Sequence, residues 1–168
     1  MLHHFSEDPS IELFVPHVPR TNPHHDAAVW AIDGDYAPLY WFPRECPRVT
    51  VWPRDDTERE SFESRFVTAA RRIHAIECGW LARMRSTLVY RYDFADEPFT
   101  SWPDAAGQWI AHVAVAPIAV EPLGDLLDLH AGAGIELRIV PSLWPLHDVV
   151  TSGQWEFSNV RMRNAVPR

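Results

Sequence analysis

The chain has 168 residues, 46% of them apolar, with eight Trp and eight Phe. That composition excludes a disordered segment, and the length suffices for one domain with a sizeable core. A net charge of −8 argues against broad nucleic-acid binding and leaves only a local basic contact open.

In chain order, Leu2 to Phe5 reads as a short strand. Pro9 to Val15 reads as a helix, with Asp8 as N-cap and Pro9 in the first turn. Pro16 to Asp26 carries three prolines and three histidines and is a loop. Ala28 to Asp33 is a buried strand, Tyr36 to Trp41 one or two helical turns, and Arg48 to Trp52 a β-branched strand. Phe62, Phe66, Ala70, Ile73, Trp80, Leu81 and Met84 recur at helical spacing, which predicts one long helix from Thr57 to Met84 with Gly79 as a point of interruption. Leu88 to Phe94 alternates as a strand. Gln108 to Val120 reads as a strand, a break at Pro117 and a second strand. Asp125 to His130 is a short helix, Ile135 to Val140 a strand, Leu143 to Val150 a helix, and Glu156 to Arg163 a final strand. The expectation is a single globular α+β domain over 1–168, with a mixed, largely antiparallel sheet and flanking helices. A dinucleotide-binding first turn is excluded, because Ser6-Glu7-Asp8-Pro9 stands where its glycines belong.

No run approaches a membrane span, and no basic flank leads into an apolar signal segment, so no membrane association is expected. Cys46 and Cys78 are too few for a disulfide framework, which points to a reducing cytoplasm. All fifteen basic residues are Arg. Arginine-only usage is explicable by genomic base composition, but it excludes a Schiff-base lysine, a pyridoxal anchor and a P-loop lysine. Any bound phosphate must then be held by Arg or backbone N–H groups.

Ionisable and aromatic groups concentrate in the N-terminal third, where L-H-H-F-S, V-W-A-I-D and L-Y-W-F-P-R-E-C-P-R end on polar or charged residues. Such a mixture is costly inside a core and suits a cleft. His4 is suited to hold a ribose, Tyr40 and Trp41 to stack on a flat ring, and Arg44 and Arg48 to pair a pyrophosphate. Glu136, a lone acid in the apolar strand G-I-E-L-R, is the carboxylate candidate, with a structural ion pair to Arg138 or Arg161 as the alternative. His3, His17, His24, His25 and Asp26 show no zinc-ligand spacing, and no metal is expected. Cys46 reads as a buried, inert thiol, and Trp109, Trp144 and Trp155 read as core.

The succession L-H-H-F-S, helix, V-W-A-I-D and short helix with Tyr40 resembles the N-terminal half of ADP-ribosyltransferase-like domains. The string Y-W-F-P-R-E-C-P-R is similar to a segment of DNA-targeting ADP-ribosylating toxins, with Arg44 on the arginine. The resemblance spans about the first fifty residues. It implies NAD as ligand, His4 as the strand histidine, Ser6 in place of a threonine, Ile11 on the following helix, and Tyr40 beneath the nicotinamide. Phe5 departs from the pattern by replacing a glycine. The whole chain also resembles an uncharacterised bacterial family. The functional expectation is an ADP-ribosyltransferase-like enzyme with a small nucleotide ligand and an unassigned acceptor. The alternative is a non-catalytic anion- or nucleotide-binding domain on the same scaffold.

Overall fold

A computed structural model describes residues 1–18 and 24–168. The middle of the expected proline-rich loop, Arg20 included, lies outside the described residues. The chain folds as two compact units, each built from two separate stretches: 1–41 with 88–123, and 42–87 with 124–168.

The first unit is a six-stranded sheet. Its strands are β1 (Leu2–Ser6), β2 (Val29–Ile32), β5 (Tyr90–Phe94), β6 (Thr100–Ser101), β7 (Gln108–Ala111) and β8 (Ala119–Pro122). They run in the order β6-β7-β2-β1-β5-β8, and every pairing is antiparallel. Alternation along each strand divides the side chains between two faces. Leu2, Val29, Ala31, Tyr92, Phe94 and Ala111 build a core on one face, joined by Phe99 and Val115 and covered by Ile11 and Phe14. Residues of the opposite parity, among them His3, Phe5, Arg91 and Asp93, stand on the other face. A 3-10 turn, Ala37–Tyr40, follows β2.

The second unit holds a four-stranded sheet in the order β10-β3-β4-β9, from β3 (Arg48–Trp52), β4 (Ile73–Glu77), β9 (Glu136–Val140) and β10 (Glu156–Val160). Its β4–β9 pairing is parallel and its others antiparallel. Around it lie α1 (Arg59–Phe66), α2 (Leu81–Ser86), α3 (Leu126–Gly132) and α4 (Trp144–Ser152). Phe62, Phe66 and Trp155 form an aromatic cluster with ring centroids 4.8–5.7 Å apart, which packs on Val49, Val51, Ile73 and Ala75.

The protein is thus α+β with mostly antiparallel sheets, as its sequence predicts, and two local expectations are corrected. Residues 57–84 are not one helix. Val67 closes α1 in the left-handed conformation at φ 52°, and Ile73 to Glu77 form a strand in which every residue is buried. Nor is Pro9 to Val15 a helix. Asp8 Oδ1 accepts from the Ser10 N–H at 2.9 Å, an Asx turn. Phe14 then bridges Val115 through paired backbone hydrogen bonds.

Candidate functional site

The polar face of the first sheet carries a cross-strand network. Register places His3 of β1 directly opposite Asp93 of β5. His3 Nδ1 lies 2.7 Å from Asp93 Oδ1. Arg91, two residues before Asp93 and therefore on the same face, grips the carboxylate with both arms of its fork: Nε donates to Oδ1 at 2.7 Å and NH2 to Oδ2 at 3.0 Å. The same NH2 reaches Glu121 of β8 at 2.9 Å. Asp93 is only 5% exposed. Burial alone would raise its pKa, but the hydrogen bonds from Arg91 and His3 outweigh burial and hold it below the usual carboxylate range. An ionised carboxylate only accepts, so the neutral His3 ring carries its hydrogen on Nδ1 and leaves a lone pair on Nε2. Among the described residues nothing hydrogen-bonds to Nε2. A methyl group placed on Gly34 would sit 3.9 Å from it, so the turn after β2 runs beside the ring.

Next to His3 on this face is Phe5, ring centroids 6.4 Å apart, and beyond it Tyr40, whose ring lies parallel to that of Phe5 at 6.2 Å. Gln108 of β7 donates to the Tyr40 hydroxyl at 2.7 Å. The turn bearing Tyr40 is fastened at its start, where Asp33 Oδ1 accepts from the Tyr36 N–H at 3.0 Å and the Asp33 N–H donates to the Gly107 carbonyl.

The residues singled out from the sequence divide between the units. His4, Ser6, Tyr40 and Trp41 belong to the first, and Arg44, Arg48 and Glu136 to the second. His4 and Tyr40 meet opposite faces of their sheet. The His4 ring packs 4.9 Å from Phe14, on the core side, and its Nδ1 donates to the Trp30 carbonyl at 3.0 Å. Ser6 is buried and accepts from the Asp8 N–H at 3.1 Å. Ile11 lies in an extended segment and donates its N–H to the Tyr92 hydroxyl. In the second unit Arg44 is exposed and its carbonyl accepts from Arg161. Arg48 is buried, with its guanidinium 4.9 Å above the Phe42 ring and NH1 donating to the Cys46 carbonyl. Glu136 accepts from Thr68 Oγ1 and pairs with Arg138 Nε at 2.7 Å, bonds that lower its pKa against the opposing effect of burial. That is the ion pair with Arg138 weighed above.

Cys46 is fully buried and its thiol donates to the Pro47 carbonyl. Burial pushes its pKa up to about 12, which leaves it unreactive.

What the sequence reading missed is Asp93 and its bond to His3. The alternating strand Y-R-Y-D-F puts an R-x-D pair on one face, but its partner lies ninety positions earlier. A second histidine pair is buried in the other unit. His130 of α3 donates through Nδ1 to the Leu126 carbonyl at 2.7 Å, so its Nε2 accepts, at 3.0 Å, from Nδ1 of His74 on β4.

These features define an α+β protein with a polar sheet face organised around a carboxylate–histidine pair. Residues 3–165 match the model of a family of unknown function, DUF6886, and the chain belongs to that family. No curated protein and no solved structure matches it. Among the described residues no helix is long and apolar enough to cross a membrane.

Proposed function

We propose that the first unit binds a nucleotide on the face bearing His3, Phe5 and Tyr40. NAD is the nucleotide its N-terminal resemblance implies, and the reading makes the chain an ADP-ribosyltransferase-like enzyme with an acceptor still to be found. The observation that carries this reading is the sharing of one face by a parallel aromatic pair and an Asp93-held histidine. The rings offer a flat apolar surface to a base or nicotinamide, and the imidazole offers a polar group to a ribose. On this reading His3 takes the part the resemblance gives to His4, since His3 stands on the Tyr40 face. The anchoring of Tyr40 by Gln108 supports it further, because an immobilised ring loses little freedom on binding.

The alternative, a non-catalytic nucleotide- or anion-binding domain, is favoured by one observation. Glu136, the carboxylate proposed for catalysis, is engaged by Thr68 and Arg138 within the second unit.

Calorimetric titration with NAD, together with an assay for free nicotinamide, tests both readings. Loss of one stacking contact is worth about 0.5–1.5 kcal/mol, so Tyr40→Ala should weaken NAD binding roughly two- to tenfold. Binding with nicotinamide release supports the enzyme, and binding without release supports the alternative. No heat at millimolar NAD removes NAD as the ligand.

A further inference from the structure

We propose that His3 and Asp93 form a proton-accepting dyad, with His3 as the general base that activates a hydroxyl nucleophile on this face. The proposal rests on the nucleotide reading for its electrophile and on the geometry of the first unit for its base.

A general base needs a lone pair aimed at the substrate, a fixed tautomer, and a countercharge for the cation it becomes. His3 has all three. Asp93 holds Nδ1–H at 2.7 Å, which leaves the lone pair on Nε2, where no described residue competes for it. The side chain is 14% exposed, enough for a small group to reach the ring edge. When Nε2 gains a proton, the imidazolium faces the buried Asp93 carboxylate across the β1–β5 pairing. Asp93 is itself kept rigid and ionised by the Arg91 fork. Arg91 in turn shares its charge with Glu121 on β8, while the β2 residue opposite His3 is the uncharged Ile32. Asp93, Arg91 and Glu121 are the charged groups of this network, two carboxylates and one guanidinium, and Asp93 stands against Nδ1 as the countercharge. This is the division of labour of a buried acid orienting an imidazole.

NAD as substrate supplies an electrophilic ribose carbon and a nicotinamide leaving group. His3 Nε2 takes the proton of a hydroxyl group. The oxygen keeps the electron pair and bonds to that carbon as the carbon–nitrogen bond breaks. The bond's electrons leave with nicotinamide, which departs neutral, and His3 then returns its proton to solvent.

The full chain labelled with nitrogen-15 tests the dyad without any turnover. The His3 ring should show the Nδ1–H tautomer, and Asp93→Asn, which presents a donor as readily as an acceptor, should mix the tautomers. With NAD as probe, His3→Gln, whose amide still offers the ribose a polar group, should release nicotinamide about 100-fold more slowly or worse at saturating NAD, a loss beyond any weakening of binding. An Nε2–H tautomer in the unchanged chain overturns the proposal, as does full-rate release by a folded His3→Gln. If His3→Gln does not fold, the tautomer and the Asp93→Asn rate decide, and an undiminished Asp93→Asn rate overturns it. Absence of NAD binding, or binding without release in the unchanged chain, overturns the transferase reading and this step with it. Normal binding and release with an indifferent His3 overturns the step alone.

Discussion

Gly107 illustrates how much a single backbone position contributes to the polar face. Its φ is +71°, and a Cβ there would fall 2.5 Å from the Tyr36 ring. Its carbonyl also receives the Asp33 N–H that fastens the turn carrying Tyr40. Gly134 has a similar φ of +66° but open space around it. An alanine at Gly134 therefore meets only the left-handed conformational cost, of order 1–3 kcal/mol. At Gly107 the steric clash adds to that cost and displaces Tyr36. Urea unfolding should give the lower midpoint for Gly107→Ala, and equal midpoints would show that the Tyr36 ring simply moves aside. Glu136 gives a second expectation at this scale. Its folded pKa is depressed, so its contribution to stability is fully present above about pH 4.5, the ordinary value for a glutamate carboxyl. That contribution fades as pH falls through the lower folded value. The pair is about one-third exposed, and solvent screening limits it to about 1 kcal/mol or less. Glu136→Gln should accordingly cost little at pH 7 and should flatten the acid limb of a stability–pH curve.

Among the elements, alternating or β-branched strands were legible, β3 even though all its residues are buried, and a strand whose apolar residues extend a helical pattern was not. The pattern of Y-R-Y-D-F matches β5, and R-V-T-V-W matches β3. Ile73 to Glu77 was hidden because its apolar positions continue the helical spacing of Phe62 and Phe66, and a short apolar run has no periodicity of its own. Its central place between β3 and β9 forces even His74 and Glu77 into the interior. In β1 the difficulty was different. L-H-H-F-S offers one histidine to each face, and only the pairing with β5 decides which of them meets a carboxylate. The site was thus half legible: Tyr40 and the strand histidines could be found, but the Asp93 partner required tertiary register. The buried His74–His130 pair yields a prediction for the second unit. Burial, followed by His130, Arg72 and Arg48, holds the His74 pKa well below 6.5, and burial also lowers that of His130. The unfolded chain then binds more protons than the folded one once pH drops below about 6.5. Stability is full above that value and is lost toward the lower folded pKa values. The unchanged chain should melt at a lower temperature at pH 5 than at pH 7. His74→Phe, with one titrating ring fewer, should lose less over the same interval. Identical losses would mean that other groups dominate the acid response.

For the whole molecule, the decisive feature is that neither unit is continuous in sequence. The first needs 1–41 and 88–123, and the second needs 42–87 and 124–168. A cut after residue 87 therefore removes β5 and β7, the hydrogen-bonded neighbours of β1 and β2, and takes Tyr92, Phe94 and Ala111 out of the first core. It also removes β9 and β10 from either side of β3 and β4, together with Leu143, Val150 and Trp155 of the second core. What remains is two antiparallel strand pairs with exposed edges, and an isolated strand pair is marginal in water at best. The fragment 1–87 should accordingly show neither a cooperative thermal transition nor dispersed amide resonances. Fragment 1–123 keeps every stretch of the first unit, so it should retain dispersed resonances for β1, β2, β5, β7 and β8. A cooperative melt of 1–87 would mean that local pairing suffices to build a core. Failure of 1–123 to hold the β1–β5 pairing, with His3 still opposite Asp93, would mean that the first unit needs 124–168 as well.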